Sequence, residues 1–243
     1  MKKNIFLIVL IFCIVKVSYS QNYYIGSAFG FHKDCFTIAN NNGKIHPSSF
    51  DLLKMFGNLN VAYQFKNNTE LSVGLTYYKF GLNPGVEWDN GNIFYSSNAL
   101  DGIKTFSIQL GMGYSIQLFK PVFLKINSGF DIDFYINSDF GSGTEGNMGD
   151  LFLKEHFNYP INTPLNLLIQ NRISLQYFTK SNVGFSLFLS YHSGLFNLFD
   201  QPWAEYSWVQ NGNTVETLNT KYISNGSNWK IGFEIGYKFG KKR

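Results

Sequence analysis

From Phe106 the chain alternates with a period of two. Phe106, Ile108, Leu110, Met112, Tyr114, Ile116 and Leu118 are apolar, and Ser107, Gln109, Gly111, Gly113, Ser115 and Gln117 lie between them. After Phe119-Lys120-Pro121 the alternation resumes as Val122, Leu124, Ile126, Ser128, Phe130, Ile132, Phe134 and Ile136, against Lys125, Asn127, Gly129, Asp131, Asp133 and Asn137. Successive side chains of an extended chain point to opposite faces, so this pattern predicts two β-strands joined by a tight turn, one face apolar and the other polar. Both exceed the usual five or six residues and reach the 9–11 or so of a transmembrane β-strand.

Six more stretches follow the same rule. Their apolar faces are Tyr23 to Phe31, Leu59 to Phe65, Leu71 to Tyr77, Leu165 to Tyr177, Val183 to Tyr191 and Trp229 to Phe239. Eight strands result, and their connections alternate long, short, long, short, long, short, long. The short turns Lys66–Thr69, Phe119–Pro121 and Thr179–Asn182 fall at one end with both termini. The long loops, 39–56, 81–102, 138–163 and 194–226, fall at the other. Val86-Glu87-Trp88 and Ile93-Phe94-Tyr95 flank Asp89-Asn90-Gly91-Asn92, and Trp208-Val209-Gln210 meets Asn213-Thr214-Val215 across Asn211-Gly212. Each reads as a hairpin rising off the body. The loop at 138–163, rich in glycine and acidic residues, is expected to be solvated and irregular.

Alternation alone leaves open which face is inside, since soluble barrels alternate too. Three features place the apolar faces outward, in lipid. They carry no charge over the spanning residues and are interrupted only by Ser27, Ser128 and Asn171. The polar faces are rich in glycine, which suits a narrow crowded interior. Tyrosine and tryptophan gather near strand ends (Tyr23, Tyr63, Tyr77, Tyr177, Tyr191, Trp229, Tyr237), where interfacial girdles belong. The expected fold is therefore all-β: an eight-stranded antiparallel up-and-down transmembrane β-barrel.

The N-terminus adds export. Met1-Lys2-Lys3-Asn4 precedes an apolar run from Ile5 to Val15, and small residues end at Ser20. This predicts a signal peptide over residues 1–20, cut between Ser20 and Gln21, with residues 21–243 forming the barrel domain. Eleven apolar residues are too few for a spanning helix, which needs about 20. Twenty basic residues face sixteen acidic ones overall, but Lys2, Lys3 and Lys16 leave with the signal, so seventeen remain against sixteen. A near-neutral mature chain carries no nucleic-acid footprint. Cys35 alone survives processing, which excludes an internal disulfide and a Cys-rich metal centre.

The export signal, the run Gly74-Leu75-Thr76-Tyr77-Tyr78-Lys79-Phe80-Gly81 and the closing Tyr237-Lys238-Phe239 resemble the outer-membrane β-barrel domain proteins common in Bacteroidetes. The layout is also similar to small OmpA- and OmpX-type barrels. The pattern departs at Gly240–Arg243, which follow the aromatic that usually ends such chains. The resemblance implies a place in the cell outer membrane, with outer-membrane lipid as surroundings, and spans structural, adhesive and secretion-associated roles.

Candidate chemistry is sparse. Glu70, Lys125, Asp131, Asp133, Arg172, Lys230, Glu234 and Lys238 should lie in the lumen, where buried charges must pair. Arg172 and Glu234 sit at matching heights and are expected in one network. A salt-bridged plug is expected over a pore, because eight strands leave room only for side chains. Lipid A deacylases of the PagL type carry a His and a Ser two apart. Here His192 and Ser193 are adjacent and so face opposite sides, and no catalytic residue is expected. Asp139 to Asp150 lacks the spacing of a calcium loop; neither a metal nor a cofactor is expected. Trp88, Phe94, Tyr95, Trp203, Tyr206 and Trp208 lie in the outward loops. They are candidates either for contact with an extracellular ligand or protein partner, or for capping the barrel mouth. The expectation is a monomeric, non-enzymatic barrel with a structural or surface-interaction role. A narrow pore and a lipid-modifying enzyme are the alternatives.

Overall fold

The computed structural model describes residues 22–39, 45–47, 54–65, 67–81, 84–87, 93–95, 103–136, 145–148, 151–158, 164–199 and 203–240. The signal segment, including Ser20 and Gln21, lies outside the described residues. Within them the chain forms strands only, in the order β1 (Asn22–Asp34), β2 (Thr37–Ala39), β3 (Ile45–Pro47), β4 (Lys54–Gln64), β5 (Thr69–Phe80), β6 (Pro84–Glu87), β7 (Ile93–Tyr95) and β8 (Ile103–Phe119). There follow β9 (Val122–Ile136), β10 (Glu145–Met148), β11 (Leu151–Asn158), β12 (Leu165–Phe178), β13 (Val183–Gly194), β14 (Trp203–Gln210), β15 (Asn213–Ile223) and β16 (Asn228–Phe239).

Eight of these close an antiparallel barrel in the order β1-β16-β13-β12-β9-β8-β5-β4. The register fixes its shape. Tyr23 pairs with Tyr63, Tyr63 with Leu71, Leu71 with Met112, Met112 with Ser128 and Ser128 with Asn171. Asn171 then pairs with Tyr191, Tyr191 with Trp229, and Trp229 with Lys33, back on β1 ten residues above the start. Eight strands with a shear of ten tilt by roughly 40° and leave a barrel about 8 Å in radius. An interior that narrow is filled by side chains.

The burial alternation has the opposite sense to that of a soluble protein. Leu59, Val73, Leu110, Ile126, Ile173 and Ile231 are exposed, whereas Asn58, Asp131, Asp133, Lys230 and Glu234 are buried. Among the described residues no helix is long and apolar enough to cross a membrane. The barrel wall crosses it instead, since a closed barrel satisfies every backbone group without water. A closed antiparallel barrel, apolar outside and polar within, is of the outer-membrane kind. Tyr23, Tyr63 and Phe65 pack ring against ring at one rim, as do Tyr237 and Phe239; Tyr191 packs on Trp229 higher up.

Two details show how tightly the wall closes. A Cβ on Gly129 would collide with the backbone carbonyl of Leu110. The turns holding Asn68 and Asn182 use positive φ of 65° and 64°, which asparagine tolerates better than most residues.

The long-loop end is more ordered than expected. The stretch 138–163, rich in glycine and acidic residues, contains β10 and β11, which join β14, β15 and β2 in a five-stranded sheet. Its strand length escapes notice because Glu145-Gly146-Asn147-Met148 shows no alternation, and the pairing partner of β11 lies some fifty residues away on β14. The β14–β15 hairpin turns at Asn211 and Gly212, both with positive φ (51° and 79°), as a twist-matched two-residue turn requires. The 86–95 hairpin is present as β6 and β7, with β3 added at its edge.

Leu110→Arg, placed on the lipid face near mid-depth, should destabilise the barrel by about 2–4 kcal/mol. Equilibrium unfolding in phospholipid vesicles measures it, and a change below 1 kcal/mol would contradict a lipid-facing Leu110.

Candidate functional site

Because outward side chains meet lipid, the polar chemistry of the chain is concentrated inside the barrel. All eight charged side chains expected there point inward. From the short-turn end upward they form layers. At the bottom, Lys125 is ion-paired with Glu70, and Lys238 Nζ donates to Gln64 Oε1 at 2.6 Å. Tyr24 packs edge-on against Phe178 beside them. Above, Arg172 Nη2 donates to Glu234 Oε2 at 2.6 Å, and its guanidinium lies 3.8 Å from the centre of the Phe188 ring. Phe56 packs on Phe188 from the far wall.

The next layer is a hydrogen-bonded chain. Asn58 donates to Gln109 Oε1 at 2.8 Å, and Gln109 Nε2 donates to Asp131 Oδ2 at 3.1 Å. The same carboxylate oxygen lies 2.6 Å from His192 Nδ1, and His192 Nε2 lies 2.9 Å from Ser190 Oγ. The carboxylate can only accept, so Nδ1 of the histidine carries a proton; in the neutral ring the serine hydroxyl then donates to Nε2. Tyr78 donates to Asp133 Oδ2 at 2.5 Å, and Lys230 Nζ sits 4.4 Å over the Tyr78 ring with no hydrogen-bond partner. A polar cavity lined in part by Asn58, Gln109, Arg172, Ser190, His192 and Lys230 has room for about one water.

His192 faces away from Ser193, as their adjacency predicts. It is fully buried in the lumen, and its serine partner is Ser190, two residues earlier on the same face. The i, i+2 spacing of Ser190 and His192 was legible in the sequence. The third member, Asp131, comes from another strand through pairing that no local pattern shows. The nucleophile–base–carboxylate connectivity matches that of serine hydrolases. Acyl transfer also needs space for an ester and donors for an oxyanion. The cavity admits no ester, and strand amides of the barrel wall are committed to the ladder. What the geometry can do is hold three buried polar side chains in one fixed arrangement.

Over this layer sits an apolar cap. Phe80, Ile103 and Tyr135 at the barrel mouth pack with Leu198, Phe199, Leu153, Tyr206, Trp208 and Leu218. Of the aromatics offered either for outward contact or for capping the mouth, Tyr206 and Trp208 take the capping place: they alternate on β14, and their shared face turns down onto the mouth. Phe94, Tyr95 and Trp203 lie on strands β7 and β14, and Trp88 lies outside the described residues. The opposite, outward face of the sheet is polar along the middle of β15, between the exposed Val215 and Ile223. Thr217, Asn219, Lys221 and Lys154 are exposed on it, and Ser207 bonds Thr217 across β14–β15 at 3.2 Å. Among the described residues no group of three or more His, Cys, Asp or Glu side chains is placed to hold a metal ion.

No protein-family model and no curated protein matches the chain. Solved structures with a similar fold include Neisserial surface protein A, with 11% identity over 89% of this chain and 97% of that one and a TM-score of 0.43. They also include the outer membrane protein OprG from Pseudomonas aeruginosa (13% identity, 91% and 97% covered, TM-score 0.46) and Ail from Yersinia pestis (15%, 90% and 99%, 0.37). Each is an outer-membrane barrel, and the likeness goes no further than the fold.

Arg172→Ala would strand Glu234 in the lumen without its partner and should cost about 3–5 kcal/mol. The double variant Arg172→Met/Glu234→Gln should recover most of that loss in the same unfolding experiment. Ser190 should resist fluorophosphonate labelling in the folded barrel, read by intact mass; stoichiometric labelling lost in His192→Ala would make the lumen an active site.

Proposed function

We propose that this chain is exported by its N-terminal 20 residues and serves as a non-enzymatic outer-membrane barrel that presents a β-sheet surface outside the cell. The observation that carries this reading is the filled lumen: layered ion pairs, a hydrogen-bonded chain and an apolar cap occupy the path a solute would need. A pore is disfavoured by the same packing. A lipid A deacylase-like enzyme is disfavoured because Ser190 and His192 face the lumen, while acyl chains of membrane lipid lie against the outer wall.

With conduction and catalysis set aside, the remaining chemistry is at the long-loop end. In an exported barrel with short periplasmic turns that end faces outward. The interaction surface is then the outward face of β14–β15, since Tyr206 and Trp208 are spent on the cap. A pleated row of threonine, asparagine and lysine side chains suits hydrogen bonding to a glycan or to a polar protein surface.

The test has two arms. Purified barrel in planar lipid bilayers should give no discrete conductance steps; regular steps would favour the pore. Cells displaying the protein should adhere to an immobilised panel of glycans and matrix proteins, and Thr217→Ala/Asn219→Ala/Lys221→Ala should lower adherence at least fivefold with unchanged surface level. Equal adherence by the triple variant would remove this face from consideration.

A further inference from the structure

The row of register partners from Tyr23 to Lys33 climbs the barrel wall and doubles as a ruler of depth. Ten residues of rise in a wall tilted by about 40° span roughly 25 Å, the height of the apolar band of outer-membrane barrels. Tyr23 and Tyr63 mark the lower girdle of this row, and Tyr191 and Trp229 its upper part, just below the exposed Lys33. Ser128 is the fifth of its nine positions and Asn171 the sixth. Both point outward and are exposed. A primary amide therefore projects from the middle of the lipid-facing belt.

Ser128 Oγ donates to Asn171 Oδ1 at 3.0 Å, which occupies one lone pair of the amide. It also lies 3.3 Å from the carbonyl of Gln170. Neither contact uses the two N–H groups of Asn171 Nδ2, which belong to an exposed side chain. Hydrocarbon offers them no acceptor, so a polar side chain at this depth calls for a protein partner. The third polar residue of the apolar faces, Ser27, lacks this problem: a lone hydroxyl can return its hydrogen bond to the strand backbone.

We infer that the β9–β12 wall is a contact surface for a second copy of this chain, with the Asn171 amides of the two copies bonded to each other across a twofold axis in the bilayer. An amide is donor and acceptor at once, hence self-complementary, and a twofold contact brings a residue against its own symmetry mate. The surrounding patch suits close approach. Met112, Ile126, Phe130 and Ile173 stand out from the wall, 62%, 50%, 52% and 47% exposed. They flank the amide above, below and beside it with flexible or flat apolar side chains. The inference replaces the monomer expected from sequence. It goes beyond the surface role and depends only on the outward-facing wall, so failure of the adhesion reading leaves it intact.

The test uses the full mature protein reconstituted in phospholipid vesicles at fixed protein-to-lipid ratio. In a Cys35→Ser background, Ile173→Cys should link into covalent dimers with a short bifunctional thiol reagent. Leu59→Cys, on the opposite wall at similar depth, should not. Asn171→Leu should lower the dimer fraction, counted by single-molecule photobleaching, at least tenfold. Its heat-modifiable gel mobility should match the parent, because the substitution only makes a lipid-facing position more apolar. Parent protein that counts as single copies, linking that is equal at positions 59 and 173, or an Asn171→Leu dimer fraction equal to the parent's would each overturn the inference.

Discussion

The closed register of eight strands at a shear of ten is the constraint on which the rest depends. It sets a radius of about 8 Å, so inward side chains in the body of the barrel meet those from the opposite wall and little room is left for water. A charge in that space is tolerable only beside its partner. The result is a stack of mutually dependent layers: Glu70 with Lys125, Glu234 with Arg172 on Phe188, and Asp131 with His192. Polar residues thus form the core, and apolar ones form the surface.

That inversion explains how much could be read from sequence. A period of two over a dozen residues is a strong signal, and a barrel confers it on every spanning strand, so all eight were legible. The outward sense was legible too, because charge avoids one face throughout. The inner partners of Arg172 and Glu234 followed from counting heights above the short turns. Asp131 and His192 did not, because the two residues lie sixty-one positions apart and meet across β12, from β9 to β13. The nearer clue, Ser190 two residues before His192, was available in the alternation itself.

At the long-loop end local pattern and tertiary context disagree. Tyr206 and Trp208 are large aromatics in a stretch that runs beyond the membrane, which favours reading them as exposed contacts. The alternation on β14 assigns them to one face, and only the barrel mouth decides which way that face turns. Phe80, Ile103 and Tyr135 would be an exposed apolar ring at the mouth without that cover. β10 and β11 were illegible for a different reason. Their residues gain strand geometry from pairing with β14, a tertiary effect that overrides weak local propensity.

The cap is continuous with the barrel rather than hinged above it. Cys35 N–H donates to the Ser227 carbonyl, Leu198 N–H to the Ser224 carbonyl, and Ser224 Oγ to the Cys35 carbonyl, each at 2.8 Å. Asn225 bonds Gly194, and Thr220 bonds Ala39, so the segments leaving β1, β13 and β15 are stitched together where the wall ends. Swinging the sheet aside would break this seam and expose Trp208, Phe80 and Ile103 in the same step. A loop that opens readily has few such bonds and little buried apolar area. Cap and plug are therefore tied together among the described residues, and the face left above the cap belongs to strands stitched to the wall. A partner of the kind proposed would meet strands already held by this seam, which lowers the ordering cost of association.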